Sequence, residues 1–248
     1  MPDGAAAARI ADNLSAIRGR VTEACRRAGR DAAGVTLIAV TKYVDAATAR
    51  LVHAAGCVDL AESRPQSLWA KAESLADLVP PPRWHLVGHL QRNKVRRTIG
   101  LVTLLHSLDS LRLAEAIDAE AAVQRRLCDG GKPCDVLVEV NLAGDPGRTG
   151  VAEPEVEPLL VAVGALPHIR VRGLMGMASV PEGPEAGATA RRQFARLRNL
   201  RDRLRERLGG DTPGELSMGM SDDFEEAILE GATLVRVGSL LWEGLTAS

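Results

Sequence analysis

Lysine is scarce in this chain, and one lysine stands where a nucleophilic amine would be useful. Of the 31 Lys and Arg residues only four are lysine: Lys42, Lys71, Lys94 and Lys132. Arginine carries charge everywhere else. Lys42 comes two residues after the apolar run Val35-Thr-Leu-Ile-Ala-Val40. A guanidinium stays protonated, whereas an ε-amine at a strand end can lose its proton and attack a carbonyl carbon. A lysine that only snorkels out of a strand end has the same local pattern, so Lys42 by itself leaves both readings open. The second feature is a pair of glycine-bearing turns, Ser217-Met-Gly-Met-Ser221 and Gly238-Ser239. Gly219 and Gly238 let backbone N–H groups converge, and the hydroxyls of Ser217, Ser221 and Ser239 can donate. A helix start after Ser221 adds positive potential, and the set suits an anion such as a phosphate. Ser221-Asp222-Asp223 also reads as an N-cap with an acidic first turn, a structural role that holds with or without an anion. An amine beside an anion site fits a Schiff-base lyase on a sugar phosphate as readily as other carbonyl chemistry. These residues do not choose a ligand.

The elements that must position them alternate. Residues 5–28 set Ile10, Leu14, Ile17, Val21 and Cys25 three or four apart, the stripe of a leading helix. Residues 35–40 form a short β-branched run of the kind buried on both faces of a parallel sheet. The two-beat pattern then repeats: helix 45–55, strand 57–61, helix 65–78, strand 84–88, helix 91–99, strand 102–106, helix 110–127 and strand 135–141. It continues with helix 153–164, strand 169–175, helix 188–208, strand 214–218, helix 222–230 and strand 233–237. Eight strands alternating with helices in a chain of 248 residues predict one α/β domain over 1–248, a single (β/α)8 TIM barrel, with a doubly wound open sheet as the competitor. Pro80-Pro81-Pro82 and the stretch 181–187 read as loops. In such a barrel chemistry gathers at the carboxyl ends of the strands, where Lys42, Ser63, His89, Asn141, the 217–221 turn and Arg236-Val-Gly-Ser239 fall.

Composition narrows the function classes. A formal net charge of −1 without long runs of one sign leaves no basic footprint for nucleic acid, and two Phe, one Tyr and three Trp offer few platforms for stacked bases. Cys25, Cys57, Cys128 and Cys134 make no C-x2-C pair, so neither zinc nor a redox motif is expected. His85 and His89 straddle a strand end and a glycine instead of sharing a helical face, which leaves His85 as a barrel-interior residue. The start of the chain lacks an apolar signal core, and no run reaches transmembrane length. The expectation is a cytoplasmic monomer with small-molecule partners.

Longer strings carry a resemblance. Ala39-Val-Thr-Lys42, Trp84-His-Leu-Val-Gly-His-Leu-Gln-Arg-Asn-Lys94, Gly173-Leu-Met175, Leu216-Ser-Met-Gly-Met-Ser-Asp-Asp-Phe-Glu225 and Val235-Arg-Val-Gly-Ser239 are similar to the YggS/PROSC family of pyridoxal 5′-phosphate (PLP) homeostasis proteins over nearly the whole chain. The resemblance implies a fold type III PLP-binding barrel like the N-terminal domain of alanine racemase, with PLP as an internal aldimine on Lys42. It also implies a phosphate in the turns at Ser217, Gly219, Gly238 and Ser239, and Arg236 facing the pyridine nitrogen. One departure lies after strand two, where Ala61-Glu-Ser-Arg-Pro-Gln-Ser67 stands against a common Gly-Glu-Asn-Tyr-x-Gln-Glu. Ser63 can donate one hydrogen bond where an amide gives two, so a modified contact at Ser63 is expected.

The same resemblance favours a carrier over a catalyst. Racemisation needs a base on each face of the substrate carbon, and the only tyrosine, Tyr43, adjoins Lys42; no covering second domain is expected either. An arginine at the pyridine nitrogen opposes its protonation and weakens the ring as an electron sink. The expected function is holding PLP or delivering it to PLP-dependent apoenzymes. An amino-acid racemase, and a lyase using Glu62 or His89 as proton shuttle, are the alternatives.

Overall fold

The computed structural model describes residues 3–127, 133–145, 147–179, 183, 185–209 and 214–245. Eight strands, β1 (Thr36–Val40), β2 (Asp59–Glu62), β3 (Arg83–Leu86), β4 (Val102–Leu108), β5 (Cys134–Val140), β6 (Ile169–Gly176), β7 (Glu215–Ser217) and β8 (Leu234–Val237), close into a barrel in sequence order. Every neighbouring pair is parallel, and β8 returns to β1 with Arg236 opposite Ile38. The expected (β/α)8 barrel is the fold, and the open sheet is excluded by the β1–β8 pairing.

Crossovers run through α2 (Ala46–Ala54), α3 (Pro65–Ser74), α4 (Val95–Thr98), α5 (Leu111–Leu127), α6 (Val156–Gly164), α7 (Ala186–Leu208) and α8 (Phe224–Leu229). The leading helix α1 (Asp3–Arg27) packs against α8, α2 and the 3-10 turn Ser239–Trp242, and so fills the place in the ring that follows β8. Its stripe of Ile10, Leu14, Ile17, Val21 and Cys25 is buried throughout. Local chemistry sets the helix starts: Asp45 caps α2 by accepting from Thr48 N at 2.8 Å, and Pro65 opens α3.

Period-two alternation sorts the strands. Ala39, Leu60, Leu86, Val136, Leu216 and Val235 join the large core shared with the helices, while Ile38, Ala61, Leu104, Leu137, Met175 and Leu234 form a second cluster. This is the filled interior of a small barrel. Several expected boundaries shift. Helix 91–99 is a 3-10 turn (Arg92–Lys94) followed by the single turn α4, since β-branched Val95, Thr98 and Ile99 and then Gly100 give it little helical propensity. Helix 222–230 begins at Phe224, with Asp223 rather than Ser221 at its N-cap. Of the expected loop 181–187, residues 181, 182 and 184 lie outside the described residues, and its end is already helical because α7 starts at Ala186; Cys128 and Lys132 also lie outside the described residues. Cys25, Cys57 and Cys134 are free thiols. No helix among the described residues is long and apolar enough to cross a membrane.

Candidate functional site at the barrel mouth

A cavity of about 320 Å³ opens at the carboxyl ends of β1, β2, β7 and β8, within the usual range for a small-molecule site. Lys42, Ser63, Arg236, Gly238 and Ser239, five of the seven residues expected from sequence, line it. Ser221, Tyr43, Met177 and Met220 join them.

Lys42 is exposed, with its ammonium 4.6 Å from the ring centre of Tyr43, which is itself 81% exposed. A cation–π contact at such a site is worth about 0.5–1 kcal/mol, so turning Lys42 onto a ligand costs little. The backbone behind it is firmly held. Thr41 N donates to Ala61 O at 2.9 Å, Thr41 Oγ1 donates to Glu62 Oε1 at 2.6 Å, and Lys71 Nζ donates to Thr41 O at 2.6 Å while ion-pairing with buried Glu62. An exposed amine therefore projects from an anchored strand end. Lysine scarcity singles out Lys71 as much as Lys42, and only the packing of α3 on β2 separates their roles.

The anion side differs in detail from expectation. Ser217 does not line the cavity: it is fully buried, and its Oγ lies 2.6 Å from Arg236 Nη1 and 2.8 Å from His106 Nδ1. Gly219 serves the turn, with φ +91° and a carbonyl that accepts from Arg236 N at 3.0 Å. A Cβ there would lie 2.6 Å from Ala227 Cβ. Ser221 does not cap α8; its Oγ accepts from Gly238 N at 3.1 Å, which draws the two glycine turns together at the cavity wall. The 3-10 turn starting at Ser239 makes its first internal bond from Leu241 N to Gly238 O, so the N–H groups of Ser239 and Leu240 come before that ladder. Asp222 also lines the cavity but is exposed.

Ser63 is half-buried at the cavity edge, while Arg64 is exposed. Ser63 also explains Gly88, since any Cβ at position 88 would meet Ser63 O at 2.2 Å. Arg236 is 4% exposed and also donates from Nη2 to Gly176 O at 3.2 Å. Burial pushes its pKa down to about 10, against the opposing pull of Asp223 and Glu139, so the guanidinium stays charged at neutral pH. His106 is pushed well below the usual histidine value by burial and then by His85 and Arg236, and is neutral. Burial raises the Glu139 carboxyl. His85 is interior as expected, whereas His89 is exposed with its Nδ1 3.2 Å from Asp109. Neither lines the cavity.

An amine, a buried donor-only cation and two converging glycine turns at the open end of a parallel barrel define the class to which the chain conforms. The model of the alanine racemase N-terminal domain matches residues 8–245. Within that class the chain belongs to the family of pyridoxal phosphate homeostasis proteins. It is 41% identical to the pyridoxal phosphate homeostasis protein of Pseudomonas aeruginosa over 233 residues, 94% of each chain. It is 39% identical to that of Aquifex aeolicus over 231 residues, 93% of this chain and 96% of the other. The structure of PipY from Synechococcus elongatus with PLP bound superposes with a TM-score of 0.78 at 32% identity, covering 94% of this chain and 99% of that one.

Proposed function

We propose that this chain binds PLP at the barrel mouth, attached through Lys42, and that it keeps the cofactor available to cytoplasmic PLP-dependent apoenzymes as a monomer that does not turn over amino acids. The observation that carries the reading is the convergence on one cavity of Lys42, Arg236 and the Ser221, Gly238 and Ser239 turns. These are the three kinds of group that an aldehyde, a pyridine nitrogen and a phosphate require. PLP bound here supplies an aldehyde that condenses reversibly with amines. Lys42 contributes the amine, and Ser221, Ser239 and the Gly238 turn offer donors to the phosphate. Arg236 has no acceptor, so toward the ring nitrogen it can only donate, and its charge opposes protonation there. PLP-bound PipY and the homeostasis proteins at 41% and 39% identity support the same reading.

The rivals need groups that face elsewhere. Tyr43 lies on the Lys42 side of the mouth and is exposed, so it makes a poor second base for racemisation. Of the shuttles a lyase would need, Glu62 is turned to Lys71 and Thr41, and His89 to Asp109. The test is to load the protein with PLP and remove the free cofactor. One portion receives an apo PLP-dependent enzyme and a second receives alanine in D2O. Activation of the apoenzyme with α-proton exchange at the level of free PLP is expected. Rapid catalytic exchange at the α-carbon would replace this reading by the racemase.

A further inference from the structure

The mouth is joined to the opposite end of the barrel by a chain of buried side chains. Arg236 has no acceptor, so at the 2.6 Å contact its Nη1 donates and Ser217 Oγ accepts. The single hydroxyl proton of Ser217 is then available for the 2.8 Å contact to His106 Nδ1, which must be bare. His106 carries its proton on Nε2 and donates across 3.0 Å to His85 Nδ1. His85 donates from Nε2 to Asp59 Oδ1 at 3.1 Å, and Arg83 forks onto the same carboxylate. Four hydrogen bonds point one way, from the buried cation at the mouth to a carboxylate near the amino ends of the strands.

The opposite arrangement is poorer. It needs a proton on His106 Nδ1, an imidazolium at His85, and a Ser217 hydroxyl proton that has no other acceptor among the described residues. The one-way order satisfies each group with neutral histidines, and burial keeps His106 neutral. Aligned bonds also polarise one another, so the Ser217 oxygen that meets Arg236 is a stronger acceptor than an isolated hydroxyl. This matters because the acceptors bonded to the buried guanidinium, Ser217 and Gly176 O, are neutral.

We infer that Ser217, His106, His85 and Asp59 form a one-way hydrogen-bond relay that positions Arg236 as a fixed donor to the cofactor's ring nitrogen, a role that rests on the PLP reading above. They are positioning residues and do not touch the cofactor. The relay itself can be read without cofactor, by nitrogen NMR of the histidine rings in the full-length unloaded protein. Both His85 and His106 are expected with the proton on Nε2 and a bare Nδ1. In Ser217→Ala, the His106 Nδ1 signal moves to that of a nitrogen without a hydrogen bond. The affinity for PLP falls about tenfold, the equivalent of one hydrogen bond to a charged group, while borohydride still fixes PLP on Lys42 at saturation. Ser217→Cys, a weaker donor and acceptor of similar size, falls between. A proton on His106 Nδ1 in the wild type overturns the relay. Unchanged PLP affinity in Ser217→Ala, with the His106 signal moved, overturns its role. Failure of the wild type to trap PLP on Lys42 overturns the cofactor reading instead, and the two failures are distinct because the ring signals are recorded without PLP.

Discussion

Replacing Lys71 by methionine tests how the strand end that carries Lys42 is held. Lys71 is buried on α3, and its ammonium bridges Thr41 O and the carboxylate of Glu62, which is 1% exposed. Methionine keeps the bulk and the apolar stem but leaves Glu62 as a buried charge without its cation. Breaking one side of a buried pair costs about 3–5 kcal/mol. In a chain of 248 residues that corresponds to a melting-temperature loss of roughly 6–20 °C. Replacing the second partner as well, in Lys71→Met with Glu62→Leu, removes the stranded charge and should recover most of the loss. Thr41 then keeps its bond to Ala61 but loses those to Glu62 and Lys71. The assay is urea unfolding of wild type, both single variants and the double variant, read as a double-mutant cycle at constant m-value. A coupling of at least about 2 kcal/mol is expected. If Lys71→Met costs less than about 1 kcal/mol, the pair is hydrated in solution and the anchoring of Lys42 through Thr41 is wrong.

Other sites give independent outcomes. Gly219→Ala forces a Cβ to 2.6 Å from Ala227 Cβ and 2.8 Å from Phe224 Cα at φ +91°, and should cost roughly 2–4 kcal/mol in urea unfolding; a neutral result would mean the turn is adaptable. Ser221→Ala should weaken PLP about tenfold but leave pyridoxal, which lacks the phosphate, unaffected in a fluorescence titration. Equal loss for both ligands would remove Ser221 from the phosphate. Burial pushes the Cys57 thiol from its ordinary 9.0 up to about 11. The folded state therefore holds that proton after the unfolded chain has released it. This contribution is complete below pH 9 and is lost as the pH rises to about 11, on the order of 3 kcal/mol. Cys57→Ala unfolding curves should lack that share of the alkaline decline.

The barrel was legible because its signal is local: each β-branched run followed by an amphipathic stretch is one βα unit, and eight of them allow few arrangements. Residues just past the strands were legible for the same reason, and Lys42, Ser63, Arg236, Gly238 and Ser239 do meet at one cavity. Ser217 looked equivalent to Ser221 because both hydroxyls flank the same glycine. Only closure of the barrel reveals that Ser217 is sealed beneath Arg236 while Ser221 reaches Gly238. The relay had no sequence signature. His85 and His106 are 21 residues apart, and His106 and Ser217 are 111 apart, so their contacts depend on the register of separate strands. Helix starts were the weakest inference, since Ser221 has the chemistry of a cap but is held by another turn.

The most direct measurement is to incubate the purified protein with PLP, reduce with borohydride and map the modified peptide by mass. Attachment of PLP to Lys42 predicts the absorbance band of PLP joined to a lysine before reduction, and a single phosphopyridoxyl group on Lys42 afterwards. No adduct, or one found only on Lys71, Lys94 or Lys132, would contradict it, and the cavity at the barrel mouth would then belong to another ligand.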